Sequence, residues 1–382
     1  MEALVANKFG SYNEVLKFRS VDIPTLGSND VLVKISYSDL NPVDLQKLNP
    51  GSNKGGQEIP NAPFVTGFGG SGIVQQVGQN GPRHLLGKQV CFIRDPSRQS
   101  GSYASLIAVD GHCVAELPTK VGLRDAATLP VAGLTAFECL VKLGLITDST
   151  VVNDAKLDSA GSENSGDSSK RQQETFLIVG GSGGVGSWAI TLARAYNPNL
   201  KIIATASTEQ SQAWCQSIGA SQVINHDDIA RTLKGGREGS VEHVMCLTEP
   251  TSSLFTTLTE VIKPYGNIML VVAGASIGNL DLGFCFFKCA NVLTETVFSS
   301  IRTNYQQIVP ANELTVILKL LDNQTIRAPI APVLNMEDSR ISEKFKDALD
   351  DNKGVLSILA NTNKNAEVQL NRCGNFVMAI NA

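Results

Sequence analysis

The sequence predicts a two-part α/β protein, a barrel-like all-β portion joined to a doubly wound parallel sheet. Three observations lead there. Phe176–Val179 is an apolar strand that feeds a glycine-dense turn, and the turn opens an amphipathic helix through Ala195. Strands and helices alternate after it, whereas the first third of the chain consists of short β-rich segments broken by Gly, Pro, Asn and Asp. At 382 residues the chain also exceeds what a single hydrophobic core usually spans, so two domains are expected.

The elements follow in order. Leu4–Ala6, Val31–Ile35, Gly72–Val77, Gln89–Ile93 and Tyr103–Val109 are rich in β-formers, and their spacing suggests antiparallel pairing in a barrel. A helical pattern begins at Leu123 and continues through Leu129–Leu143, past Pro130. Residues 150–174, approximately, carry few apolar side chains and much Ser, Gly and charge, so they are expected to form a disordered surface insertion. Then come the strand Phe176–Val179 with its helix, Lys201–Ala206, a helix around Gln210–Ile218, Gln222–Ile224, Val241–Cys246, a helix near Leu254–Ile262, and a strand from Gly266 to Val272. The tail holds helices at Leu314–Leu321 and near Ile341–Leu349, with strand-like segments that return to the first portion. The expected domains are therefore 1–140 with 303–382, and 141–302.

Composition narrows the function. Hydrophobic residues make up 42% and charged residues 18%, as in a globular protein. A net charge of −4 with no long basic run argues against nucleic acid or anionic membranes as partners. No apolar stretch reaches the length of a membrane span. The strand-like start Met1–Lys8 lacks the order of a signal peptide, so a cytoplasmic location is expected. Eight cysteines and four histidines include no Cys-x-x-Cys pair and no Cys/His cluster at ligand spacing, and no metal is expected. Cys285 and Cys289, flanked by Phe284, Phe286 and Phe287, read as core packing, and the thiols as reduced.

The chemistry lies in the glycine run, which reads as Gly181-x-Gly183-x-x-Gly186 or as Gly180-x-x-Gly183-x-x-Gly186. Between a strand and a helix, such a turn lets main-chain N–H groups and the helix dipole approach a pyrophosphate with no Cβ in the way. A dinucleotide is expected at Gly180, Gly181, Ser182, Gly183, Gly184, Val185 and Gly186. The next strand ends in Ser207 and Thr208, without the acid that grips a ribose 2′-hydroxyl in NAD sites. Small hydroxyls accept a 2′-phosphate, so the cofactor expected is NADPH.

Several ordered segments carry a family resemblance. They are Leu40-Asn-Pro-Val-Asp44, Pro63–Gly78, Gly87-Lys-Gln-Val-Cys-Phe92, Gly101-Ser-Tyr-Ala-Ser105, Ala126–Ala136, the glycine turn, and Ile218–His226. Together they resemble the zinc-free medium-chain dehydrogenase/reductase superfamily, in its quinone oxidoreductase and enoyl reductase-like branch. The resemblance implies a GroES-like β-barrel catalytic domain interrupted by a Rossmann domain, an active site between them, and a homodimer. In the metal-dependent relatives a cysteine ligand falls where this chain has Asn41, and Gly-His-Glu falls where it has Gly67-Phe68-Gly69. Neither substitute binds zinc. Gly69 also departs from an acidic residue common in relatives. By the same resemblance Asn41 and Thr135 stand near the nicotinamide, where an amide and a hydroxyl can position the ring and stabilise a developing enolate. Asp44 is expected to orient the turn. His226 matches a position set against the 2′-phosphate, and Val272, Ala273 and Gly274 match the segment that meets the nicotinamide carboxamide. Phe64, Phe68 and Phe298 are candidate apolar walls for the substrate. The implied activity is NADPH-dependent, zinc-independent reduction of quinones or α,β-unsaturated carbonyls. The alternatives are a catalytically weak NADPH-binding regulatory or structural protein and a zinc-free alcohol dehydrogenase. Leu45–Ala62 contains no tyrosine, which leaves the source of the proton open.

Overall fold

The computed structural model describes residues 1–10, 15–48, 55–146, 173–233, 235–303 and 309–330, with the backbone of 333–335, 357–358 and 377–379. Two compact units divide the chain: Met1–Leu134 with Val297–Ala382, and Thr135–Thr296.

The first unit is largely β. Its strands are β1 (Glu2–Ala6), β2 (Lys17–Ser20), β3 (Asp30–Asp39), β4 (Phe64–Val65), β5 (Gly69–Val77), β6 (Gln89–Ile93), β7 (Leu106–Asp110) and β8 (Val114–Glu116). β2, β1 and β4 make a small antiparallel sheet. β3, β5, β6, β7 and β8 pair antiparallel in an eight-stranded sheet that the short strands Val333–Asn335, Ser357–Ile358 and Val377–Ala379 complete. Register matters at one place: β3 and β5 run antiparallel with Ser38 opposite Gly70, which brings the end of β3 beside the start of β5. Strand structure begins at Leu106 rather than at the expected Tyr103. The Ser102 and Tyr103 amides are already committed to the carbonyls of Gly67 and Thr66, outside the β3–β7 ladder.

The second unit is a six-stranded, all-parallel sheet of β9 (Thr175–Val179), β10 (Lys201–Thr205), β11 (Gln222–Ile224), β12 (Val241–Cys246), β13 (Ile262–Leu270) and β14 (Asn291–Thr294). Their order is β11-β10-β9-β12-β13-β14, the doubly wound order in which the sequence reverses direction between β9 and β12. β9 is buried along its whole length, as befits a central strand covered on both faces. The helix Ser252–Val261 presents Phe255, Leu258 and Val261 at helical spacing to the core. Each such side chain contributes about 2 kcal/mol by leaving water. That helix runs straight into β13, so the strand begins at Ile262, four residues before the expected Gly266.

One expectation is corrected here. The helix Gly283–Lys288 buries Cys285, but Phe286 and Phe287 are 88% and 63% exposed, Phe284 is exposed too, and Cys289 is exposed in a left-handed backbone conformation. The helix lasts six residues, too short for its aromatic run to wrap onto the sheet, so a single face packs. The described cysteines are all free. The insertion expected at 150–174 lies, but for its last two residues, outside the described residues, as does the helix expected near Ile341–Leu349. Among the described residues no helix is long and apolar enough to cross a membrane.

Candidate active site

In the second unit, the glycine turn lies at the carboxyl end of β9, and Gly180 packs against Leu247 and Thr248 just beyond β12. This is the switch point at which open parallel sheets bind ligands. The glycines do different work. Gly180 has φ +88°, a left-handed conformation that other residues resist, and its N–H donates to Thr205 Oγ1 at 2.9 Å. A Cβ on Gly181 would stand 2.7 Å from Ala204 Cβ, and one on Gly186 would stand 2.5 Å from the Gly180 carbonyl oxygen. Both are glycine so that the helix Gly184–Tyr196 can lie close to the sheet. Gly183 is different. Its backbone is unstrained, and a Cβ there would meet nothing nearer than 3.5 Å. The fold does not demand glycine at that position, whereas a ligand approaching the main chain would. No side chain caps the first turn of this helix, so its amides are left for an anion.

The neighbouring candidates lie around the same strand ends. Ser207 Oγ, beyond β10, is buried and makes no hydrogen bond. Thr208 is occupied otherwise: its hydroxyl caps the helix Glu209–Ser217, accepting from the Ser211 N–H at 3.2 Å. Thr205 Oγ1 lies 2.7 Å from His226 Nδ1, which links the glycine turn to the histidine through one hydroxyl. After β13, Val272–Gly274 is backed by Glu249: a Cβ on Gly274 would collide with that carboxylate, and Glu249 Oε1 accepts from the Ser276 N–H and hydroxyl at 3.2 and 3.0 Å. The unstrained, uncrowded Gly183, the uncapped helix and the orphaned Ser207 hydroxyl all fit a dinucleotide.

In the first unit, β3 ends in Asp39 and the chain turns through Leu40-Asn41-Pro42 into the short helix Pro42–Gln46. Proline suits the first helical position, and Asp44 reaches back to the residue before it. Asp44 Oδ2 accepts the Asn41 N–H at 2.6 Å and the Tyr103 hydroxyl at 2.7 Å, and the Asp44 N–H donates to the Asn41 carbonyl at 3.0 Å. Asn41 is thus held by its main chain, while its buried Nδ2 makes no well-formed hydrogen bond and bears on the Asp39 carboxyl. Phe68 is packed between Phe298, with ring centroids 5.0 Å apart, and the Arg94 guanidinium, 4.3 Å from its ring. Arg94 also lies 5.7 Å from the Phe64 ring, and all three phenylalanines are buried. Thr135 is buried at the start of the second unit. Among the described residues no group of three or more His, Cys, Asp or Glu could hold a metal ion.

Three further groups escaped the sequence reading. Asp39, Arg94 and Tyr103 are all buried around the Asn41 turn. Burial pushes the Asp39 carboxyl up to about 7, against the opposing pull of the Asn41 amide and the Val131 N–H. Burial, aided by the charge of Asp39, pushes Asp44 up to about 8. Burial likewise holds the Tyr103 phenol well above its ordinary range, so it remains a donor. The outward sign in the sequence is slight: Asp39 and Arg94 stand at the ends of β-forming segments, Arg94 directly after the apolar Val90-Cys-Phe-Ile93.

Comparison with known proteins agrees with this architecture. Residues 27–119 match the alcohol dehydrogenase GroES-like domain family, and residues 184–313 match the zinc-binding dehydrogenase family. A zinc-type alcohol dehydrogenase-like protein of Staphylococcus aureus is 34% identical over 251 residues, 65% of this chain and 66% of that protein. The match thus spans just under two thirds of that relative's length. The human quinone oxidoreductase is 26% identical over 312 residues, 81% of this chain and 84% of its own. The solved structure of Escherichia coli quinone oxidoreductase complexed with NADPH superposes with a TM-score of 0.71 at 19% identity, covering all of both chains. The chain belongs to the medium-chain dehydrogenase/reductase superfamily, in its quinone oxidoreductase-like branch.

Proposed function

We propose that this protein reduces quinones or α,β-unsaturated carbonyls with NADPH, by hydride transfer and without a metal ion. The observation that carries the reading is the glycine turn, where Gly183 is free of any steric demand from the fold and the following helix is uncapped. In this reading the amides of Ser182 and of Gly184 to Gly186 hold the pyrophosphate, while the Gly183 N–H closes the turn on the Gly180 carbonyl at 3.2 Å. Ser207, whose buried hydroxyl has no internal partner, meets the 2′-phosphate, with His226 beyond it. The main chain of Val272, Ala273 and Gly274 receives the carboxamide. When bound, the dihydronicotinamide supplies the hydride.

The chain's own residues do the rest. Asn41 and Thr135 orient the ring and offer hydrogen bonds where negative charge develops on the substrate oxygen. Positions 41 and 67–69 offer neither thiol nor imidazole, so polarisation of the carbonyl falls to these donors rather than to a Lewis acid. Phe64, Phe68 and Phe298 form the packed apolar layer behind the substrate. The natural setting proposed is a cytoplasmic homodimer. The structure of the E. coli quinone oxidoreductase with NADPH supports the choice of cofactor. Steady-state oxidation of NADPH with a panel of quinones and enones tests the proposal. Turnover that persists after chelation is expected. NADPH binding without turnover across both classes would point instead to a regulatory or structural role, and stoichiometric zinc in the purified protein would contradict the metal-free mechanism.

A further inference from the structure

The first unit buries a second acid that the Asn41 turn does not need for its own geometry. A Cβ built on Gly69 would stand 2.7 and 2.9 Å from the two carboxyl oxygens of Asp39 and 2.6 Å from Pro130 Cβ. Position 69 is glycine because the Asp39 carboxyl, arriving from the neighbouring strand, already fills its side-chain space.

Asp39 and Asp44 are 2% and 0% exposed. The Asp39 carboxyl accepts the Val131 N–H, at 3.3 Å, and is drawn on as well by the Asn41 amide and the Gly69 N–H, while Asp44 Oδ2 accepts from Asn41 and Tyr103. Oδ1 of each acid is buried with no hydrogen bond. The titratable and charged groups around them are Tyr103, Cys91 on β6, and Arg94. Arg94 is committed to the carbonyls of Gly67, Asp95 and Arg98 and forms an ion pair with neither acid. Two buried carboxyl groups, the charge of Asp39 raising the pKa of Asp44 and no cation ion-paired to either, do not both stay charged; one proton remains.

We propose that Asp39 and Asp44 act as a coupled pair holding one exchangeable proton beneath Asn41, and that this proton completes the reduction. The second half rests on the function proposed above. The C–H bond of the dihydronicotinamide breaks, and its electron pair forms the new C–H bond at the electron-poor carbon. The resulting enolate or hydroquinone anion takes the proton from the carboxyl pair, and the pair regains one from water. The upward shifts of both acids place the exchange in the neutral range.

Infrared difference spectroscopy of the protein without cofactor or substrate tests the pair directly. A protonated-carboxyl C=O band is expected at about pH 7 and should vanish on alkaline titration. In Asp39→Asn the remaining Asp44 loses its charged neighbour, so its titration should move to lower pH; Asp44→Asn, which serves if the first variant fails to fold, should leave one titrating group in place of two. With enone or quinone as substrate, Asp39→Asn should slow kcat about tenfold to a hundredfold and displace the alkaline limb of its pH profile, with the KM for NADPH unchanged. Absence of the band at neutral pH, or titration of each acid indifferent to loss of the other, overturns the pair. A coupled band with an unaltered kcat profile in Asp39→Asn overturns the proton supply. If neither substrate class is turned over, the infrared result still decides the pair, and the proton-supply claim falls with the reading beneath it.

Discussion

Asn41 is fixed through its backbone N–H and carbonyl, both committed to Asp44, and its amide side chain, which bears on Asp39, is not needed to hold the turn. The turn should therefore survive its removal. In Asn41→Ala we expect an unchanged melting temperature and a kcat lower by about a hundredfold, the usual scale for loss of a donor to a developing oxyanion. Steady-state kinetics beside a thermal melt check both halves. Ser207 makes the complementary case at the other end of the cofactor. In the proposed reading its buried, unpartnered hydroxyl receives the 2′-phosphate. An acid there would repel the phosphate and grip the 2′-hydroxyl, so Ser207→Asp should lower kcat/KM for NADPH by about a hundredfold and leave NADH preferred. A ratio that does not move would remove Ser207 from the cofactor site.

At the scale of elements, the glycine turn separates folding from binding. Gly186→Ala drives a Cβ to 2.5 Å from the Gly180 carbonyl and 2.7 Å from Gly181 Cα, so helix and sheet must part. Overpacking of this kind costs about 1–3 kcal/mol. Gly183→Ala meets nothing closer than 3.5 Å and should melt like the wild type while losing affinity for NADPH, which a fluorescence titration reads. The helix Ser252–Val261 ends under a different device. Lys288 Nζ, 3% exposed, donates to the carbonyls of Thr259, Glu260 and Ile262 at 2.9, 2.7 and 2.7 Å. Lys288→Met keeps the bulk and removes three bonds to orphaned carbonyls, and should lower stability by about 2–4 kcal/mol in chemical denaturation. How legible each element was depended on how local its signal is. The turn could be read because strand, glycines and helix are contiguous. The Phe284–Phe287 segment was misread because its apolar run does not say which face meets the sheet. The helix ending at Val261 hid the start of β13, since no Gly or Pro separates them.

For the whole molecule, the division into an all-β unit and a doubly wound sheet was legible because hydrophobic period and turn residues repeat many times over. The Asp39–Gly69 complement was not. Thirty positions separate the two residues, and only the antiparallel register of β3 and β5 makes them neighbours. That hidden contact sets the pH response of stability. In the folded chain Asp39 and Asp44 keep their protons to about 7 and about 8, against 3.8 for an ordinary carboxyl. The folded state then binds more protons than the unfolded one across this window, so stability falls as pH rises through it. Asp30 works in the opposite sense. Burial alone would raise its pKa, but the two-pronged Arg98 contact at 2.8 and 2.9 Å and the Gly27 N–H hold it below 3.8, and its contribution disappears only in stronger acid. The melting temperature should accordingly be higher at about pH 5 than at about pH 8, and Asp39→Asn should flatten that slope. A stability that rises toward pH 8 would contradict the assignment.

The most direct measurement is a calorimetric titration of the wild-type protein and Gly183→Ala with NADPH. Stoichiometric binding to the wild type, weakened in a variant that melts at the same temperature, is the expected result. Equal affinity in both proteins, or none in the wild type, would mean that the open turn after β9 does not cradle a pyrophosphate.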